Sequence, residues 1–219
     1  MRVRRRWAGL LALAAALGCH SSPFVPLTPA GAGPSGGPVV TQSKPTWLAF
    51  GDSLTQDAFA VNLAWKEVLG PEGPAPINAG VRGDMAGAAL ARPDRLLAAH
   101  PEARYVGVAF GTNDASGRVP LDAFQAQLQA LVERIRKSGK QAVLATVPYS
   151  PDSDLGRLPE YNRVIKAVEA ANGLPPGPDL YALVEAHPEY LAPDGVHMTP
   201  QGNQALQRAW AEVAARLDW

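Results

Sequence analysis

The chain has 219 residues, enough for one domain with a sizeable core, and its 20 basic and 20 acidic residues cancel. No global field therefore draws it to nucleic acid or to an acidic surface. Gly and Pro number 21 each, but a hydrophobic content of 47% is too high for a chain disordered throughout.

Residues 1–18 read as a signal peptide. Arg2, Arg4, Arg5 and Arg6 form a basic start, and the uncharged apolar run Trp7 to Leu17 follows. That run is too short to span a membrane and fits the core of an export signal. Ala16 and Gly18 satisfy the small-residue rule for cleavage before Cys19. The same stretch resembles a bacterial lipoprotein signal, in which the cysteine becomes the lipidated first residue. Cys19 is the only cysteine, so no disulfide can form within the domain, and lipidation accounts for an otherwise lone exported thiol. The expectation is an exported protein, anchored to a membrane through Cys19 in the periplasm or at the cell surface, and otherwise secreted.

Residues 19–45 are rich in Pro, Gly and Ser, with almost no charge, and read as a flexible tether. Two glycine patterns occur there, Gly33-Pro34-Ser35-Gly36-Gly37 and Gly31-Ala32-Gly33-Pro34-Ser35-Gly36. Neither has the strand before it or the helix after it that such motifs need, and both are rejected.

Residues 46–219 form the domain. The apolar run Thr46 to Phe50 predicts a buried strand, and Gly51-Asp52-Ser53-Leu54-Thr55 follows as a polar turn at its carboxyl end. Open α/β sheets bind ligands at that edge. Phe59 to Leu69 has helical spacing and stops at Gly70-Pro71. Ala75 to Asn78 predicts a short strand, leading into the loop Ala79 to Asp84. Met85 to Ala99 reads as a helix that Pro93 must kink or restart. Tyr105 to Phe110 is a continuous apolar run, as in a strand covered on both faces, and ends in Gly111-Thr112-Asn113-Asp114.

Leu121 to Lys137 predicts a helix with Phe124, Leu128, Leu131 and Ile135 on one stripe. Gln141 to Val147 predicts a fourth strand, Pro148 to Leu158 a loop, and Pro159 to Asn172 another helix. Asp179 to Val184 reads as a short last strand or an irregular segment. Pro200 to Leu217 predicts the closing helix, entered from the turn Asp194-Gly195-Val196-His197. Alternating strands and helices imply a mostly parallel sheet with helices on both faces. All its strands would end at one edge, which brings Ser53, Gly83 and Asn113 together.

A serine nucleophile needs a base to take its proton and a third group to hold that base's tautomer. Of the 4 histidines, His20 lies in the tether and His100 reads as a solvated or capping residue near a helix end. His187 precedes Pro188 and has no carboxylate at a persuasive spacing. His197 has Asp194 three residues earlier in a Gly-containing turn, which can aim the carboxylate at the near ring nitrogen. Acyl transfer also needs donors for the developing oxyanion. The Ser53 N–H, the Gly83 N–H (Gly83 having no Cβ to block close approach) and the Asn113 amide are the candidates. No Cys/His cluster suggests a metal, and the chemistry needs no cofactor.

Together these residues resemble the SGNH hydrolase family, also called GDSL esterases and lipases. Gly51-Asp52-Ser53-Leu54, Asn78-x-Gly80-x-x-Gly83, Gly111-Thr112-Asn113-Asp114 and Asp194-Gly195-Val196-His197 are similar to its four blocks, in order. The resemblance implies a three-layer α/β/α sandwich, flavodoxin-like, around a five-stranded parallel sheet. It implies Ser53 as nucleophile, His197 as base, Asp194 as its orienter, and Ser53, Gly83 and Asn113 as the oxyanion hole. Asp84 follows Gly83 where many members carry Thr or Ser; Gly-Asp there is familiar in lysophospholipase- and thioesterase-like members.

The expected function is a serine esterase that works through an acyl-enzyme on small-acyl or polysaccharide esters, without nucleic acid as partner. A lysophospholipase- or thioesterase-like acylhydrolase is the alternative. A non-catalytic carbohydrate-binding module on the same fold would have lost Ser53 or His197, and a nucleotide-binding protein would carry its glycine fingerprint directly after a strand.

Overall fold

The structure, a computed structural model, describes residues 45–219. The expected signal peptide, Cys19, His20, both rejected glycine patterns and the tether as far as residue 44 lie outside the described residues.

Four strands, β1 (Thr46–Gly51), β2 (Ala75–Asn78), β3 (Ala103–Ala109) and β4 (Gln141–Leu144), form one parallel sheet in the order β2-β1-β3-β4. Because strand side chains alternate, each strand feeds two cores. Leu48, Phe50, Val106, Val108 and Leu144 pack under α3 (Ala86–Ala89), α4 (Pro93–Ala99), α6 (Leu121–Lys137) and α7 (Leu158–Ala171). On the other face Trp47, Ala49, Tyr105 and Val143 meet α1 (Ser53–Ala58), α2 (Leu63–Leu69), α8 (Leu180–Ala186) and α9 (Pro200–Ala214). A short helix, α5 (Thr112–Ser116), follows β3. Trp47 is fully buried, with the rings of Trp65 and Trp210 each centred 5.5 Å from its own.

Among the described residues the expected three layers are present, with one strand fewer than the expected five. After α7 the chain does return along β4, but the pairing is limited to an isolated bridge of Pro176 to Leu144 and a bond from Thr146 N to Pro178 O at 3.2 Å. The local sequence Pro175-Pro176-Gly177-Pro178 explains this, since proline has no N–H to donate to a ladder. Asp179 to Val184 is neither strand nor irregular: Asp179 caps α8 by accepting from Ala182 N at 3.2 Å.

The helical stretch after β1 also differs from expectation, and Pro93 takes one of its two expected forms. The Phe59 to Leu69 helix is shorter, as α2, and an additional helix, α1, begins at Ser53 itself. The side chain of Gln207, fully buried on α9, ties the turn between them by donating to Ala58 O at 2.8 Å and Val61 O at 2.9 Å. Met85 to Ala99 is two helices, because Pro93 at the first turn of α4 is a restart.

Candidate active site

β1 delivers Gly51 to the sheet edge, and Asp52, in extended backbone, caps α1 by accepting from Leu54 N at 3.0 Å. Ser53 is therefore the first residue of α1, with its side chain held at one place and an N–H that no i−4 carbonyl can take. Its Oγ lies 3.1 Å from His197 Nε2. On the other side of the ring His197 Nδ1 lies 2.8 Å from Asp194 Oδ2. Asp194 Oδ1 accepts from the N–H groups of Val196 at 3.0 Å and His197 at 2.9 Å. Those two backbone bonds, and then the imidazole, hold the Asp194 carboxyl down at about 2. A carboxylate that stays ionised favours the ring tautomer with its proton on Nδ1 and leaves Nε2 free to accept.

The turn carrying this pair is braced from outside. Ser150 Oγ, in the loop after β4, donates to Gly195 O at 2.7 Å. Nothing in the sequence of that loop indicates this contact with the turn.

The loop after β2 continues along β1, with Ala79 N donating to Ala49 O at 2.8 Å and Val81 N to Gly51 O at 2.9 Å. Gly80 is needed for close approach, since a Cβ there would stand 2.4 Å from Gln56 N. Gly83 has φ +76°, a backbone conformation that glycine adopts without strain. Asn113, on α5, donates from Nδ2 to Asp84 O at 2.9 Å and to Asp52 Oδ2 at 3.3 Å. The structure thus ties the Gly83 loop, Asn113 and the Ser53 turn into one connected set, as β1, β2 and β3 all end there.

Two buried carboxylates support that set, and sequence reading singled out neither. Asp114 accepts from Ala86 N with both oxygens, at 3.1 and 3.2 Å. Burial raises its carboxyl to about 6 and that of Asp52 to about 7. The signal was present in both cases, an aspartate beside each block residue, but nothing in the sequence showed that they would be enclosed.

The other histidines stand apart. His100 caps α4 and pairs with Glu102 at 3.2 Å. His187, read as having no carboxylate at a persuasive spacing, pairs with one two residues on: Glu189 Oε1 lies 3.0 Å from its Nδ1, and the ring stacks on Tyr190. Among the described residues no cluster of His, Cys, Asp and Glu could hold a metal ion.

This arrangement can move a proton from a hydroxyl to an imidazole. The sequence profile of the GDSL-like Lipase/Acylhydrolase family matches residues 49–205. Among solved structures, Axe2, an acetylxylan esterase from Geobacillus stearothermophilus, is similar with a TM-score of 0.67 and 22% identity over 81% of this chain and 96% of that one. LAE5, an alpha/beta hydrolase enzyme from the metagenome of Lake Arreo, Spain, has a TM-score of 0.67 and 19% identity over 80% and 97%. TesA has a TM-score of 0.65 and 23% identity over 77% and 97%. Among curated proteins no sequence matches the chain.

Proposed function

The chain belongs to the GDSL-like lipase/acylhydrolase family and is a serine ester hydrolase, and from that premise we propose that Ser53 carries the reaction through an acyl-enzyme. The observation behind this reading is the unbroken line from Ser53 Oγ through His197 to Asp194, at 3.1 and 2.8 Å.

Ser53 Oγ attacks the ester carbonyl as His197 Nε2 takes its proton. The new C–O bond places negative charge on the carbonyl oxygen, which the Ser53 N–H, the Gly83 N–H and the Asn113 amide receive, the amide exchanging its 3.3 Å bond to Asp52 Oδ2 for the oxyanion. When the oxyanion collapses, the bond to the alcohol breaks and His197 returns the proton to the leaving oxygen. Water then enters by the same steps in reverse and releases the acid. Asp194 does not take the proton; it holds the ring and stabilises the imidazolium.

Small-acyl esters, including acetylated carbohydrate, are the proposed substrates. The likeness in fold to an acetylxylan esterase supports trying them first. The test uses the full chain with p-nitrophenyl acetate, butyrate and octanoate, beside Ser53→Ala. The substitution is expected to lower kcat by about 10⁴-fold or more, as loss of a serine nucleophile does elsewhere. Equal rates in the two proteins would remove Ser53 from the chemistry. A rate that rises from acetate to octanoate would instead favour a lysophospholipase- or thioesterase-like acylhydrolase.

A further inference from the structure

Gly83 raises a problem that its own residue cannot solve. With φ +76° and, its chain neighbours aside, no heavy atom within 4 Å of where a Cβ would stand, Gly83 is open on the side a side chain would occupy. A glycine so placed has more backbone freedom than any other residue. An oxyanion donor, however, must lie about 2.7–3.1 Å from where the charge develops. The direction of the Gly83 N–H must therefore be set from the flanks of its loop.

Arg92 holds both flanks. The residue directly precedes Pro93, which restarts the chain as α4 and leaves Arg92 outside the helix. Its Nη1 donates to Ala79 O at 3.2 Å, at the start of the loop. Its Nε donates to Asp84 Oδ2 at 3.1 Å, at the end of the loop, and Nη2 bonds to the same oxygen. Underneath, the guanidinium carbon sits 4.8 Å from the centre of the Phe50 ring. The Asp84 side chain is only 9% exposed and that of Arg92 30%, whereas Arg82–Asp57, from the same loop, stands at 58% and 27%. Enclosed, charge-assisted bonds of this kind hold geometry far better than solvated ones. The backbone of Asp84 extends the reach, since its carbonyl is the nearer of the two acceptors that hold Asn113 Nδ2.

We propose that Arg92 is a positioning residue that, by clamping Ala79 and Asp84, fixes the Gly83 N–H and the Asn113 amide as oxyanion donors. It touches neither substrate nor reacting atoms. The proposal rests on the acyl-transfer reading of Ser53, and its test separates the two.

The full chain is compared with Arg92→Ala, Asp84→Asn and Ser53→Ala by p-nitrophenyl acetate turnover and by hydrogen exchange. Arg92→Ala is expected to lower kcat by about ten- to a hundredfold with KM within about twofold, as a misplacement near 1 Å does. Asp84→Asn, which keeps the side chain's shape, is expected to show the same split. Free guanidinium at millimolar concentration is expected to restore part of kcat in Arg92→Ala and none in Arg92→Ala/Asp84→Asn. Amide exchange across 79–86 is expected to quicken in Arg92→Ala while α6 and α9 keep wild-type protection. Wild-type kcat in Arg92→Ala, or unchanged exchange across 79–86, overturns the clamp. So does exchange that quickens throughout the domain with no guanidinium rescue, which marks a merely structural role. If the wild type hydrolyses no ester, or Ser53→Ala matches it, the reading of Ser53 fails, and exchange across 79–86 still decides whether the clamp exists.

Discussion

The two sides of the crevice are built on opposite plans. On the side of the proposed oxyanion donors the supporting carboxylates are enclosed: Asp52 is 2% exposed and Asp114 not at all. On the base side the side chains of Asp194 and His197 are 53% and 35% exposed, and their bonds run mostly within four residues. The same residue type therefore titrates in opposite directions. Burial lifts Asp52 to about 7, and backbone N–H groups hold Asp194 at about 2. The difference teaches that a carboxylate meant to stay charged beside an imidazole needs donors and water, while one that braces a loop can be buried and left close to neutral.

That contrast can be broken most forcefully on the exposed side. Asp194→Asn keeps the acceptor for the N–H groups of Val196 and His197 but removes the charge behind the ring. We expect kcat to fall by about 10³- to 10⁴-fold with Tm within a few degrees of wild type. A large loss of Tm would mean that the turn depends on the charge for its fold. Because the Asp194 carboxyl is held down at about 2, loss of activity on moderate acidification does not report protonation of this carboxylate.

The enclosed side is tested by stability against pH. A carboxyl group whose folded pKa is raised favours the fold while protonated, so the disadvantage of Asp52 is absent below about pH 4. It grows as pH climbs toward 7, where the group ionises in the folded state. The Tm of Asp52→Asn minus that of wild type should accordingly rise by roughly several degrees between pH 4 and pH 7, and level off above. A difference that stays flat across that range would show that Asp52 ionises freely where it lies. Asp194 has the opposite sign, its contribution being present above about pH 4 and lost as pH falls toward 2.

The smallest effect is expected where the two plans meet, at the brace on the base turn. Ser150→Ala removes the bond to Gly195 O, at a cost of about 1 kcal/mol. We expect a fall in kcat/KM of only a fewfold, because the Asp194 bonds that aim the ring remain. Thermal melting and initial rates on the same preparation check both numbers, and a loss as large as that of Asp194→Asn would show that the exposed side is held from outside after all.

Much of this was legible in residue order. Alternating apolar runs and amphipathic stretches specify a parallel sheet, because a fully covered strand and a one-sided helix leave different periods. Once the strands are parallel, polar turns after β1, β2 and β3 must share an edge, so Ser53, Gly83 and Asn113 could be placed together without coordinates. Asp194 and His197 were legible because three residues in a tight turn are close in any fold.

Tertiary structure decided what depends on enclosure and on contacts across the chain. Whether Asp52 and Asp114 are charged depends on what covers them, and no local pattern states that. Arg92 could be seen only as the residue before a proline. That it reaches back to Ala79 and Asp84 follows from where α4 restarts. The missing fifth strand has a local cause, prolines without N–H groups, yet its outcome required knowing which side of β4 the chain returns to. Period and spacing follow from steric rules acting over a few residues, so the sequence alone determined the elements and their shared edge. Charge state and clamp geometry depend on dielectric surroundings and long-range contact, which exist only once the chain has closed on itself.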